Sequence, residues 1–193
     1  MKPILFNTEM VRAILAGRKT VTRRPIKPQP AGELRRMGAD SCYPGCFAAA
    51  GEDRVYRPPY MVGNVLYVRE TWSTSDGSYL YRAWTGDGME PDKQDWAMRE
   101  MGLKWRPSIH MPREAARIFL RVTALRAERL RDIFEDPPGP ENQVVREGLK
   151  YGCDFIATWE NTIKPKERSA YGWEANPWVW VIEFEQIKEE AMA

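Results

Sequence analysis

The chain has 193 residues, 29 Lys and Arg against 27 Asp and Glu, and a formal net charge of +2. That near-balance excludes polyanion binding by bulk charge, so any nucleic-acid contact must come from local clustering. Hydrophobic residues at 43% and charged residues at 29% suit one globular domain, 1–193, large enough to bury a core. A single histidine, His110, excludes a histidine-rich metal site, and three cysteines, Cys42, Cys46 and Cys153, point to reduced thiols over a disulfide framework. No apolar run reaches the length of a membrane span, and the opening Met1 to Phe6 does not read as a signal peptide. The expectation is a cytoplasmic protein without metal or cofactor.

Ile4 to Phe6 reads as a short apolar strand. Asn7 or Thr8 then caps a helix whose apolar face is Met10, Val11, Ile14 and Leu15, and Gly17 is a natural left-handed stop. Gly17 to Arg24 follows, with four cations and two hydroxyls in eight residues, and no acid occurs from Met10 to Gly32. Charge held in one place is presented to something anionic, although a basic edge strand that resists aggregation gives the same pattern. Val21 to Ile26 reads as extended, ended by Pro25, Pro28 and Pro30.

Residues 29–63 carry Gly, Pro, Ala and charge with no sustained period, and read as an insertion. Val65 to Trp72 is a strand whose alternation puts Leu66, Val68, Glu70 and Trp72 on one face and turns Tyr67 to the other, exposed side. A carboxylate there is expensive unless paired, and an arginine of the basic segment is the expected partner. Tyr79 to Trp84 reads as a further strand. Arg117 to Arg126 is a long one, with Ile118, Leu120, Val122 and Ala124 inward and Arg117, Arg121 and Thr123 outward. Val144, Val145 and Leu149 mark a short helix closing near Gly148. Asp154 is the expected cap of a helix bearing Phe155, Ile156, Trp159 and Ile163. Trp178 to Phe184 closes the chain as a strand with Trp178, Trp180, Ile182 and Phe184 on its core face. Trp72 and Trp84 are the candidates for an aromatic cleft wall. Short strands around few helices suggest an α+β fold with a small β-barrel.

In this order the pieces resemble the ASCH domain family, a branch of the PUA-like barrels, and in particular its larger phage- and prophage-associated members. The resemblance rests on Ile14-Leu15-Ala16-Gly17-Arg18-Lys19-Thr20-Val21-Thr22-Arg23, on Gly63-Asn64-Val65-Leu66-Tyr67-Val68, on Arg121-Val122-Thr123 and on Trp180-Val181-Ile182-Glu183-Phe184. Val65 to Trp72 and Pro107 to Arg113 match the larger members. It implies a barrel with a cleft that binds RNA or a modified nucleoside. Compact bacterial members of the family are amidohydrolases of N4-acetylcytidine, metal-independent, and their lysine and threonine map onto Lys19 and Thr22. Their glutamate maps onto Glu147, with Glu141 and Glu70 as competitors for the cleft carboxylate.

Three functions follow as expectations. A binding module would use Arg18, Lys19, Arg23 and Arg24 against phosphate or base edges, with Glu70, Trp72 and His110 as further ligand contacts. A hydrolase would act through Lys19, Thr22 and Glu147. A ribonuclease would use the same basic cleft and is the least economical with one histidine. Spacing adds a condition: residues three apart in a flat strand point to opposite faces, so Lys19 and Thr22 meet only if the backbone between Gly17 and Thr22 is irregular.

Overall fold

The computed structural model describes residues 1–83, 91–135 and 140–188. In chain order its elements are β1 (Lys2–Leu5), α1 (Thr8–Leu15), β2 (Val21–Pro25), β3 (Leu34–Arg36), β4 (Phe47–Ala49), β5 (Val55–Tyr56), β6 (Val65–Arg69), β7 (Trp72–Ser75) and β8 (Ser78–Tyr81). Then come α2 (Pro91–Glu100), β9 (Phe119–Arg129), α3 (Pro140–Arg146), α4 (Gly152–Thr162), α5 (Arg168–Tyr171) and β10 (Trp178–Ile187). Strands dominate and helices are few, so the fold is mixed α+β.

The chain divides into two units. The first comprises Met1–Arg18, Val65–Arg121 and Gln186–Ala193. In it β1 runs parallel to β6, with Ile4 opposite Val68, and β6 pairs antiparallel with the start of β9, with Leu66 opposite Leu120. Asn7 caps α1 by accepting the Met10 N–H at 2.8 Å. At its other end Gly17, at φ +68°, lets the Gly17 and Arg18 N–H groups turn back onto the Ile14 and Ala13 carbonyls, each at 2.9 Å. Val11 and Ile14 are buried, as the helical spacing predicts.

Several strand expectations in this unit need correction. The strand predicted over Val65 to Trp72 stops at Arg69, and Glu70 and Thr71 turn the chain into β7. Tyr67 is buried with its neighbours Leu66 and Val68, because β6 is covered on both faces. The Tyr79 to Trp84 strand is shorter, Ser78–Tyr81, and Trp84 lies outside the described residues. Trp72, Met111 and Ala115 form a small core under Tyr81.

The second unit comprises Lys19–Asn64 and Val122–Glu185. Here β10 lies between the rest of β9 and β2, and pairs antiparallel with β2, Ile182 opposite Thr22 and Val181 opposite Arg23. Val21, Val179 and Val181 pack with Val144 of α3 and with Phe155, Trp159 and Ile163 of the α4 region. Residues 29–63 are not without order: β3, β4 and β5 form an antiparallel sheet, and Phe47 meets Trp180 edge-on at 5.0 Å between ring centres. The inward alternation along β9 slips one residue after Val122, so Leu125 is buried and Ala124 only half-buried. Trp178 is likewise half-buried, with Arg129 over its ring at 4.7 Å. Asp154 stands a turn inside α4, where its carboxylate accepts the Tyr151 N–H at 3.1 Å.

Candidate functional site

The helix stop at Gly17 throws the next residues out of regular pairing. Lys19 forms an isolated bridge with Glu147, and regular strand begins only at Val21. The Thr20 N–H donates to the Arg146 carbonyl and its own carbonyl accepts the Phe184 N–H, both at 2.9 Å. The backbone between Gly17 and Thr22 is therefore irregular, the condition under which Lys19 escapes strand alternation. Its ammonium is buried within the second unit, where Nζ donates at 2.8 Å to each of three acceptors: the Val21 carbonyl, the Glu147 carbonyl and Glu147 Oε2.

Arg23 reaches the same carboxylate, with Nη1 at 3.1 Å from Glu147 Oε1. It also grips Glu128 Oε1 through Nε at 3.0 Å and Nη2 at 2.8 Å, and Nη2 touches Gln143 Oε1 at 3.4 Å. The Lys19 side chain is 0% exposed, Arg23 1% and Glu147 4%. Burying these charges is tolerable only because each is paired and hydrogen-bonded. Burial pushes the Lys19 pKa below the ordinary lysine value, while the Glu147 charge and hydrogen bond push back and Arg24 and Arg23 add to the lowering.

Alternation along β2 turns Thr22 and Arg24 to the face opposite Val21 and Arg23. Thr22 is buried beside its partner Ile182, and Arg24 is half-buried opposite Trp180. Burial also lowers the Arg24 pKa, opposed by Tyr60 and Glu147. The structure thus joins Lys19, Arg23 and Glu147, while Thr22 and Arg24 alternate with Arg23 along β2 and Arg24 stays close enough to act on Lys19 and Glu147. Thr22 is still one peptide from the Lys19 ammonium, which bonds the carbonyl preceding it. The basic segment is not displayed as a whole: of its four cations Arg18 is exposed, while Lys19 and Arg23 are spent on internal carboxylates.

The remaining candidates lie in the first unit. Glu70 is 1% exposed and takes a bidentate hold from Arg117, at 2.9 and 3.0 Å, so its partner is a β9-side arginine and not one from the basic segment. Burial raises the Glu70 pKa, against the hydrogen bond and charge of Arg117. Arg117 also lies over the Tyr81 ring at 4.1 Å. Trp72 is buried, with Arg106 over its ring at 5.0 Å and Tyr79 at 5.9 Å. His110 is exposed in a 3₁₀ turn, Ser108–His110. The Glu141 side chain lies outside the described residues.

Sequence reasoning missed Glu128, Arg126, Arg146 and Glu183, which surround the Lys19 cluster. One signal was present: Arg126 and Glu128 share a strand face at spacing two, an opposite-charge pair. Cys42, Cys46 and Cys153 are free thiols. Among the described residues no group of three or more His, Cys, Asp or Glu is placed to hold a metal ion, and no helix is long and apolar enough to cross a membrane. No family model, no curated protein and no solved structure matches the chain.

Proposed function

We propose that this is an ASCH-type, PUA-like protein that binds RNA or a modified nucleoside, and that the ligand at the Lys19 cluster is the nucleoside and not a phosphate chain. The observation that carries this choice is the pairing of Lys19 and Arg23 with Glu147 and Glu128. Cations neutralised from within offer hydrogen-bonding geometry, not free charge, and a phosphate chain needs the latter. The strand-rich α+β build and the irregular Gly17–Thr22 passage are what such a reading requires.

A second reading is deacylation of N4-acetylcytidine, favoured by the direct contact of Lys19 with Glu147. The Thr22 hydroxyl would attack the acyl carbon and give its proton to Glu147. The oxyanion would be held by the Lys19 ammonium, once one of its three N–H groups left its internal acceptor. The C–N4 bond would then break, the proton pass to N4 to release cytidine, and water would cleave the Thr22 ester to free acetate. This asks Thr22 to reach Glu147 around the edge of β2, and so it stands second.

A thermal-shift panel of acylated and methylated nucleosides tests the first reading. A selective rise in Tm that survives added salt is the expected result. RNA affinity falling steeply with salt, with no nucleoside response, would overturn it. For the second, cytidine release from N4-acetylcytidine should vanish in both Lys19→Ala and Thr22→Ala.

A further inference from the structure

Six charged side chains of the second unit close a circuit. Glu183 of β10 accepts Arg126 Nη1 at 2.5 Å and Arg146 Nη2 at 2.6 Å. Arg126 Nε reaches Glu128 Oε2 at 2.8 Å, and Glu128 Oε1 holds Arg23. Arg23 reaches Glu147, and Glu147 follows Arg146 in the chain, which completes the loop. Side-chain exposure falls along it from 34% at Arg126, 29% at Arg146 and 22% at Glu183 to 1% at Arg23. The circuit runs from the surface into the core, with Lys19 seated at its inner end.

The seat favours the charged form of Lys19 by geometry, against the burial that lowers its pKa. An ammonium has three N–H donors and no lone pair, whereas carbonyl and carboxylate oxygens only accept. A neutral amine has two N–H groups and one lone pair, which here would face an acceptor oxygen. Two of the three seats, the Glu147 carbonyl and carboxylate, lie at the end of α3, and that end is tied down by Arg146. Arg146 Nη2 is held by Glu183, its Nε lies 3.3 Å from Thr20 Oγ1, and its carbonyl accepts the Thr20 N–H. The charged groups around Lys19 are Arg23 and Arg24 on β2, Arg146 and Glu147 at α3, Arg126 and Glu128 on β9, and Glu183 on β10.

We propose that Glu183 is a positioning residue: by clamping Arg146 and Arg126 together it holds the end of α3 so that Glu147 keeps Lys19 as a three-bonded ammonium. As regulation of the nucleoside site this rests on the function proposed above, but the circuit is tested without any ligand. With its lysines labelled with ¹⁵N, the protein should give one ammonium resonance at neutral pH that is slow to exchange with water, absent in Lys19→Ala. In Glu183→Gln, with an unchanged circular-dichroism spectrum, its exchange should accelerate at least tenfold. Glu183→Asp, which keeps the charge, should recover part of the protection. A Lys19 resonance as slow in Glu183→Gln as in the parent would overturn the proposal. If Glu183→Gln does not fold, Arg126→Gln opens the circuit at its most exposed member and is read the same way. Loss of nucleoside binding with the resonance behaviour intact would count against the proposed function alone.

Discussion

The Lys19 ammonium and the Glu147 carboxylate meet at 2.8 Å across 128 positions of sequence, with both side chains out of solvent. Neither helix propensity nor strand pattern brings them together. Their meeting depends on a helix stop at one end and an irregular bridge at the other, and with the Arg23 pairs it neutralises two of the four cations of the basic segment from within.

Glu147→Ala leaves Lys19 and Arg23 buried without their shared carboxylate. Removing one partner of a buried pair costs about 3–5 kcal/mol, so the urea midpoint should fall by that equivalent with the m-value unchanged. A loss below about 1 kcal/mol, the range of exposed pairs, would mean that the cluster opens to water.

Arg117→Ala should show a deficit that depends on pH. Burial raises the Glu70 pKa and Arg117 opposes that rise, so removing Arg117 raises it further. A carboxyl raised in the folded state favours folding while protonated, and that contribution is lost as pH climbs through the folded pKa. The variant should therefore be well below the parent in stability at pH 7 and close the gap as the pH is lowered toward 4. Denaturation at the two pH values checks this, and a constant gap would contradict it.

Glu183 has the opposite sign. Burial works against its charge, but Arg146 and Arg126 outweigh it and hold its pKa below the ordinary carboxylate value. Its contribution is present above the unfolded pKa, about 4.3 for Glu, and is lost as pH falls through the lower folded value. Melting temperature against pH should drop less steeply below that point in Glu183→Gln than in the parent.

Gly17→Ala places a Cβ at φ +68°. The left-handed conformation costs a residue with a side chain about 1–2 kcal/mol, and open space around the site offers no clash to add. A Tm decrease of matching size is expected, with the irregular seat of Lys19 loosened.

The α1 boundaries were legible because cap, apolar spacing and a terminal glycine are local signals that agree. The 29–63 stretch was not, since strands of two or three residues, such as β4 and β5, are too short to show a period. The course of β6 was misread at Glu70 because alternation continues in the sequence where the chain itself turns away toward β7. Glu70 was recognisable as a buried carboxylate, but the identity of its partner was not, since Arg117 lies 47 positions away.

By itself the sequence determined the strand-rich α+β class, the helix stop at Gly17 and the clustering of cations behind it, all consequences of residue type and near-neighbour spacing. Only the tertiary structure decided where those charges go. Pairing Lys19 and Arg23 with Glu147 and Glu128 depends on long-range packing that sets α3 against β2 and β9 one strand beyond it, across β10. Once buried, a charge must find its partner wherever the fold supplies one.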